Sequence, residues 1–438
     1  MLNKHYVITP EFAKVIIPFL KLEMGSTCWE WLVSGIYLNC YPIDILQPDA
    51  GWIVRVNVLL DDAFQVLSTI VPVCCEAKIA FKVIGDPTLY QYAFSKTAPA
   101  EDAGKFITIY TPTSQQLTEI MNQVDLAISK LDILPCAPPV SDMLFSDNLS
   151  YRYSSYNPDS TISSCPDDLI VDHADYFTLP TGITDPFTGE SGDTDNDIGT
   201  TDTSSVVVIE NYEIEDVLHR NYATAIYKGK RVSDGYPIIL KEARPNAYID
   251  DVPATTRLEN EYRVLTKIAE SRCAHICPTP LDMFEEEHHL LLFMTEIWNA
   301  QTLYEWRQKA ERTQTELLNV AKEIRDTLSS IHTENISWND LHASNILLDS
   351  ANTVYLIDAE FASIDPDSTD FDLDIRMFGR LLLWLVYPVD TLLDWTCRID
   401  VFIQKLEQSN YPQHYIDAVH IALCQNRGGR GIRGLTLK

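Results

Sequence analysis

The segment IHTENISWNDLHASNILLDSANTVYLIDAEFA, residues 331–363, constrains the chain more than any other. It sets Asp340 and Asn345 with four residues between them, then gives an apolar run, a turn, a second apolar run and Asp358. Two apolar runs about a turn read as a hairpin. A loop carrying Asp340 and Asn345 is therefore followed by a hairpin presenting Asp358. Ahead of it, Thr313 and Glu316 read as a capping box for a helix whose stripe is Leu317, Val320, Ala321, Ile324, Leu328 and Ile331. Phosphoryl transfer is mainly positioning and charge stabilisation. It requires one carboxylate beside the attacking hydroxyl and two oxygen ligands that hold magnesium against nucleotide phosphates. Asp340 fits the first role, and Asn345 and Asp358 fit the second.

The residues upstream agree. VVVIENYEIEDVL, ATAIYKGK and YPIILKEA read as strands, RLENEYRVLTKIAE as a helix, and HHLLLFMTEIW as part of a further strand pair before helices take over. A small sheet lobe on a larger helical lobe is expected. Lys241, near the end of YPIILKEA, suits the nucleotide phosphates, with Glu261 of the next helix as its ion-pair partner and Glu259 as the alternative. These features resemble the protein-kinase-like superfamily, and the DLHxxN form resembles its atypical branch, which includes the aminoglycoside and choline kinases. Two features depart from that pattern. The third motif reads Asp-Ala-Glu rather than Asp-Phe-Gly. No glycine occurs between Ile209 and Gly229, where a glycine-rich loop is expected; Ala223, Thr224 and Ala225 stand there instead.

In the N-terminal half, GWIVRVNVLL (51–60), AKIAFKVIG (77–85) and GKFITIYTP (104–112) read as strands, with helices over 61–71 and 113–131. This is an α+β domain. GWIVRVNV, AFKVIGD, AGKFITIY and LSYRYSSY, in that order, look like the lyase domain of class III and IV lanthipeptide synthetases, which are related to bacterial phosphothreonine lyases. A segment resembling LPTGITDPF (179–187) and then a kinase follow in that family, and KEARP and NEYRVL are typical of its kinases. The resemblance implies an NTP- and magnesium-dependent kinase, using ATP or GTP, that phosphorylates Ser or Thr of a ribosomal precursor peptide. A lyase then expels phosphate to leave dehydroalanine or dehydrobutyrine. On this resemblance Lys82 matches the base, Lys105 and Arg152 the phosphate-binding group, and Tyr153 lies nearby. The family's first strand usually reads Gly-Trp-Lys-x-His; here Ile53 and Arg55 take the last two roles. Alternation puts Ile53, Arg55 and Asn57 opposite Trp52, Val54 and Val56. Arg55 suits phosphate but cannot be a general acid near neutral pH, because the pKa of a guanidinium exceeds ~12. The lyase is therefore active without that acid, or degenerate. The family's cyclase domain is expected to act in trans or to be missing.

The expected organisation is a lyase-like domain at 1–156, an acidic flexible linker at 157–204, a two-lobed kinase-like domain at 205–425 and a Gly/Arg-rich tail at 426–438 that reads as disordered. Residues 153–219 hold no Lys or Arg, and the formal charge is −30. Broad phosphate-backbone binding needs clustered cations, so nucleic acid is excluded as a partner. The apolar runs are too short for a membrane span. Ten scattered cysteines without a secretory segment point to the cytoplasm, and Cys273-x3-Cys277 lacks a second pair at zinc spacing. Two other readings stay open: a small-molecule phosphotransferase, and a catalytically dead scaffold that binds peptide.

Overall fold

The computed structural model describes residues 29–99, 102–136, 138–139, 142–156, 179–192, 207–286, 288–393 and 397–424, with Phe12, Ile432 and 435–437. The chain folds as an N-terminal α+β domain followed by a two-lobed kinase domain.

The N-terminal domain is built on a seven-stranded sheet: β1 (Trp29–Ser34), β2 (Tyr37–Pro42), β3 (Ala50–Val56), β4 (Phe81–Ile84), β5 (Ile107–Thr111), β6 (Met143–Ser146) and β7 (Leu149–Ser155). The strand order is β1-β2-β4-β5-β3-β7-β6, and every pair is antiparallel. Alternation along β3 divides its side chains as expected. Trp52, Val54 and Val56 enter the main core, while Ile53 joins Ala80 and Tyr110 on the other face. Helices α1 (Ala63–Ala77) and α3 (Ser114–Ile128) cover the core face, with the short α2 (Pro87–Ala93) between them in sequence. The stripe Leu117, Ile120, Met121 and Val124 of α3 is buried, and Trp52 donates to Ser114 Oγ at 3.1 Å. Helix α1 runs past Pro72, beyond the expected end at residue 71. Proline removes one backbone donor, but Cys74 and Cys75 on the following turn are buried, and that burial carries the helix on.

The kinase domain opens with a six-stranded antiparallel sheet. Its strands are β8 (Val207–Ile209), β9 (Tyr212–Arg220), β10 (Thr224–Arg231), β11 (Pro237–Ala243), β14 (Pro280–Glu286) and β15 (His289–Thr295), in the order β14-β15-β11-β10-β9-β8. Between β11 and β14 lie the small hairpin β12 (Tyr248–Ile249) and β13 (Val252–Pro253), and α4 (Ala254–Ala269). The larger lobe holds β16 (Gln301–Thr302), α5 (Leu303–Gln308), α6 (Gln314–Thr333), β17 (Ile336–Ser337), β18 (Ile346–Leu348), β19 (Val354–Leu356), β20 (Ser363–Ile364), α7 (Ser368–Val386), α8 (Asp400–Glu407) and α9 (Gln413–Leu423). Thr313 and Glu316 form the capping box of α6, and the stripe from Leu317 to Ile331 is buried.

Two expectations need correction. Residues 179–192, expected to be linker, fold onto the N-terminal domain. Asp185 is buried, accepts from the Phe187 and Thr188 N–H groups, and receives the Tyr151 hydroxyl at 2.9 Å. Phe187 packs against Phe145 and Tyr151. One aromatic and one well-satisfied carboxylate anchor a stretch whose average composition is polar. The rest of the linker expectation lies outside the described residues. In the tail, Ile432, Leu435 and Leu437 are buried, and Arg325 donates to the Leu435 and Leu437 carbonyls. These aliphatic residues are buried although the Gly and Arg content of the tail reads as disordered, and most of the tail lies outside the described residues.

Candidate active site

The small lobe supplies a cation. Lys241 on β11 donates to both oxygens of Glu261 on α4, at 2.7 and 2.8 Å, and to Asp358 Oδ1 at 2.7 Å. Glu261 is 1% exposed, whereas Glu259 is on the surface. Helical spacing decides this, since the buried stripe Leu258, Glu261, Val264, Leu265 and Ile268 faces the sheet.

The large lobe supplies the oxygen donors. The β18–β19 hairpin places the two acidic loops side by side, and the Ile357 N–H donates to the Asn345 carbonyl at 3.0 Å. Asn345 donates through Nδ2 to Asp340 Oδ2 at 2.8 Å, which leaves its amide oxygen as a ligand for a hard cation. Asp358 has φ +66°, a left-handed conformation uncommon outside glycine, though Asn and Asp tolerate it better than other side chains. The pairing of β17 with β20 clamps the two loops further. From α7, the buried Asp374 accepts the Trp338 N–H at 2.7 Å, the Asn339 N–H at 2.6 Å and His332 Nε2 at 2.8 Å. The backbone that presents Asp340 is thereby held by a carboxylate behind it.

A cavity of about 500 Å³ opens between the lobes, lined by Lys96, Lys241, Asp340, Asn345, Asp358 and Glu360 among others. Lys96 belongs to the N-terminal domain, and its Nζ lies 2.7 Å from Glu360 Oε1. Burial is the largest influence on Lys241, Glu261, Asp358 and Glu360. Lys241 nonetheless ends above its ordinary value, because Asp358, Glu261 and Glu360 outweigh burial. Asp358 ends below its own, burial being overcome by Lys241 and then Lys96. Glu261 and Glu360 are pushed up by burial, with Asp358 adding to it. Three carboxylates thus share two ammonium groups, an excess of negative charge that favours a further cation. One amide oxygen and one carboxylate suit magnesium, which takes few protein ligands and completes its shell with phosphate oxygens and water. Among the described residues, no cluster of three or more His, Cys, Asp and Glu stands ready for a metal on its own, and Cys273 and Cys277 are buried.

A second constellation lies across the N-terminal sheet. The register sets Asn39, Lys82, Thr108, Arg55 and Ser150 in one row across β2, β4, β5, β3 and β7. Arg152 stands two residues along on the same face, opposite Ile53. Arg55 and Arg152 are buried and approach Asp142 at 3.7 and 3.9 Å, and Ser150 donates to Asp142 at 3.1 Å. The Lys82 ammonium lies 4.3 Å from the centre of the Tyr37 ring. Tyr153 does not join this row: it pairs with Trp52 on the opposite face, because consecutive residues of β7 alternate. Lys105 is buried just ahead of β5, outside the row.

Sequence reasoning passed over Lys96, Glu360, Asp142 and Asp374 as functional groups. Asp374 carried a signal, an acid in the apolar helical pattern that continues through Ile375, Phe378 and Leu381. Lys96 and Asp142 carried none, since both reach their partners across the topology.

Residues 21–197 match the family model described as the RamC N-terminal domain, and residues 213–372 match the protein kinase domain. The chain is 26% identical over 362 residues to the probable SapB synthase of Streptomyces coelicolor, an alignment covering 76% of this chain and 37% of that protein. The chain therefore spans well under half the length of that relative. The order of domains and this relative agree with the resemblance to lanthipeptide synthetases of class III and IV.

Proposed function

We propose that this chain, which joins a RamC N-terminal domain to a protein kinase domain, phosphorylates Ser or Thr hydroxyls of a ribosomally made precursor peptide and then eliminates the phosphate. The observation that carries the reading is the convergence of Asp340, Asn345, Asp358 and the Lys241–Glu261 pair on one cavity. Asp340 orients the substrate hydroxyl and takes its proton as the oxygen attacks the terminal phosphorus of ATP and the bond to the leaving diphosphate breaks. Lys241 holds the phosphates. Asn345 and Asp358 would hold magnesium, whose chemistry there is to neutralise phosphate charge.

On the N-terminal face, Arg55 and Arg152 take the phosphate of the phosphorylated residue in place of Asp142, whose carboxylate occupies them in the free chain. Lys82, as the free amine, removes the α-proton. The C–H electrons form the double bond, and the bond from the β-carbon to oxygen breaks to release inorganic phosphate. With arginine at position 55 the departing group is stabilised by charge rather than by proton donation. The SapB synthase relationship favours a peptide over a small alcohol as substrate.

Replacing Asp358→Asn tests the kinase step. Phosphate incorporation into peptide should disappear while circular dichroism and the unfolding midpoint stay near those of the unaltered chain. Full incorporation by a folded Asp358→Asn protein would remove Asp358 from the mechanism.

A further inference from the structure

The turn between β9 and β10, where the sequence lacks glycine, is pinned rather than free. Asn221 closes it, accepting from the Ala223 and Thr224 N–H groups at 2.9 and 3.0 Å, and its own N–H donates to the Thr224 carbonyl at 2.9 Å. Tyr222 and Ala223 are buried beneath the N-terminal domain. The Tyr222 ring meets Phe94 edge-on and sits where a side chain at Gly104 would have to go, since a Cβ there would fall 2.1 Å from the ring. A turn held in this way cannot fold over phosphates as a mobile glycine loop does.

The same contact brings a cation into the cleft. Ser95 pairs with Tyr248 in a parallel bridge, the Lys96 N–H donates to the Tyr248 carbonyl at 2.8 Å, and the Tyr248 N–H donates to Phe94 O at 2.9 Å. Arg244 Nη2 reaches the Pro138 carbonyl at 2.9 Å, and Asn246 donates to Pro135 O. The backbone of Lys96 is therefore fixed to the small lobe, and its side chain lines the cavity beside Lys241 and Asp358. Lys241 has each of its contacts to a carboxylate oxygen within 2.8 Å, so it has no donor to spare until Asp358 turns away. Lys96 bonds only Glu360 among the described residues, which leaves an ammonium with further donors at the rim of a cleft built for a polyanion.

We propose that Lys96 is a phosphate-binding residue of the kinase cleft, supplied by the N-terminal domain in place of a glycine-rich loop. The inference rests on the phosphotransfer reading of that cleft. Lys96 exchanges Glu360 for a nucleotide phosphate oxygen. It follows that an isolated kinase domain lacks part of its own nucleotide grip.

Equilibrium binding of ATP with magnesium, of ADP with magnesium and of adenosine to the full chain tests the proposal, with Lys96→Ala, Lys96→Arg and Glu360→Gln beside the unaltered protein. Lys96→Ala should weaken ATP binding by about tenfold or more, the order expected for a charge-assisted contact. It should leave adenosine binding unchanged, and Lys96→Arg should restore most of the loss. Glu360→Gln, which frees Lys96, should keep or tighten ATP binding. Equal weakening of ATP and adenosine by Lys96→Ala would make Lys96 a prop of the seam and overturn the proposal, as would no weakening at all. If the unaltered chain bound none of the three, the phosphotransfer reading itself would fall, an outcome distinct from a failure confined to Lys96.

Discussion

Asp358 pairs a positive φ with a partly buried charge, two costs that persist only where surroundings enforce them. Lys241 enforces the charge, and the bond from Ile357 to the Asn345 carbonyl fixes the backbone beside it. This centre was legible in the sequence because loop and hairpin set Asp340, Asn345 and Asp358 at fixed separations along the chain. Lys96, Asp142 and Tyr153 were not legible to the same degree. The first two act across the fold, and the third was placed by nearness in sequence, which in a strand assigns neighbours to opposite faces. Lys82 is where the residue scale yields its own prediction. Lys82→Ala should leave phosphorylation intact and cause phosphopeptide to accumulate, with dehydration slowed by about 10²-fold or more for loss of the base. Mass spectrometry over time reads this directly, and unchanged dehydration would remove Lys82 as the base.

At the scale of elements, helix α7 does more than fill the large lobe. Its buried Asp374 satisfies two N–H groups of the loop that carries Asp340, beside the positive φ of Asn339. Asp374→Ala would orphan those donors at about 1–3 kcal/mol each. The expected outcome is a lower denaturation midpoint together with a loss of phosphorylation rate larger than the loss of nucleotide affinity. Urea unfolding with parallel kinetics checks it, and an unchanged rate in a destabilised protein would reduce Asp374 to a packing role. Long periodic elements such as α3 and α6 were legible because one apolar stripe decides them. The extension of α1 past Pro72 was not, because burial of the following turn outweighs the local break. The docking of 179–192 was missed because Asp185 and Phe187 are single anchors in a polar stretch.

The whole molecule is organised about the seam between its domains. Aromatic packing of Phe94 on Tyr222, the bridge at Tyr248 and the Lys96–Glu360 pair join the N-terminal domain to the small kinase lobe beside the cavity. The row of Lys82, Arg55 and Arg152 lies on the N-terminal sheet, outside the residues that line the cavity, so under the proposed function a phosphorylated peptide would leave the cleft to reach it. Sequence order gave both domains, but the seam depends on small patches from distant segments and left no pattern to read. Among the described residues, no helix is long and apolar enough to cross a membrane. The most direct measurement of the central claim is mass spectrometry of a Ser/Thr-rich peptide encoded beside this gene, incubated with the full chain, ATP and magnesium. The account predicts phosphorylated peptide early and peptide lacking water later, both abolished by Asp358→Asn. Peptide that remains unmodified while the chain binds ATP would contradict it.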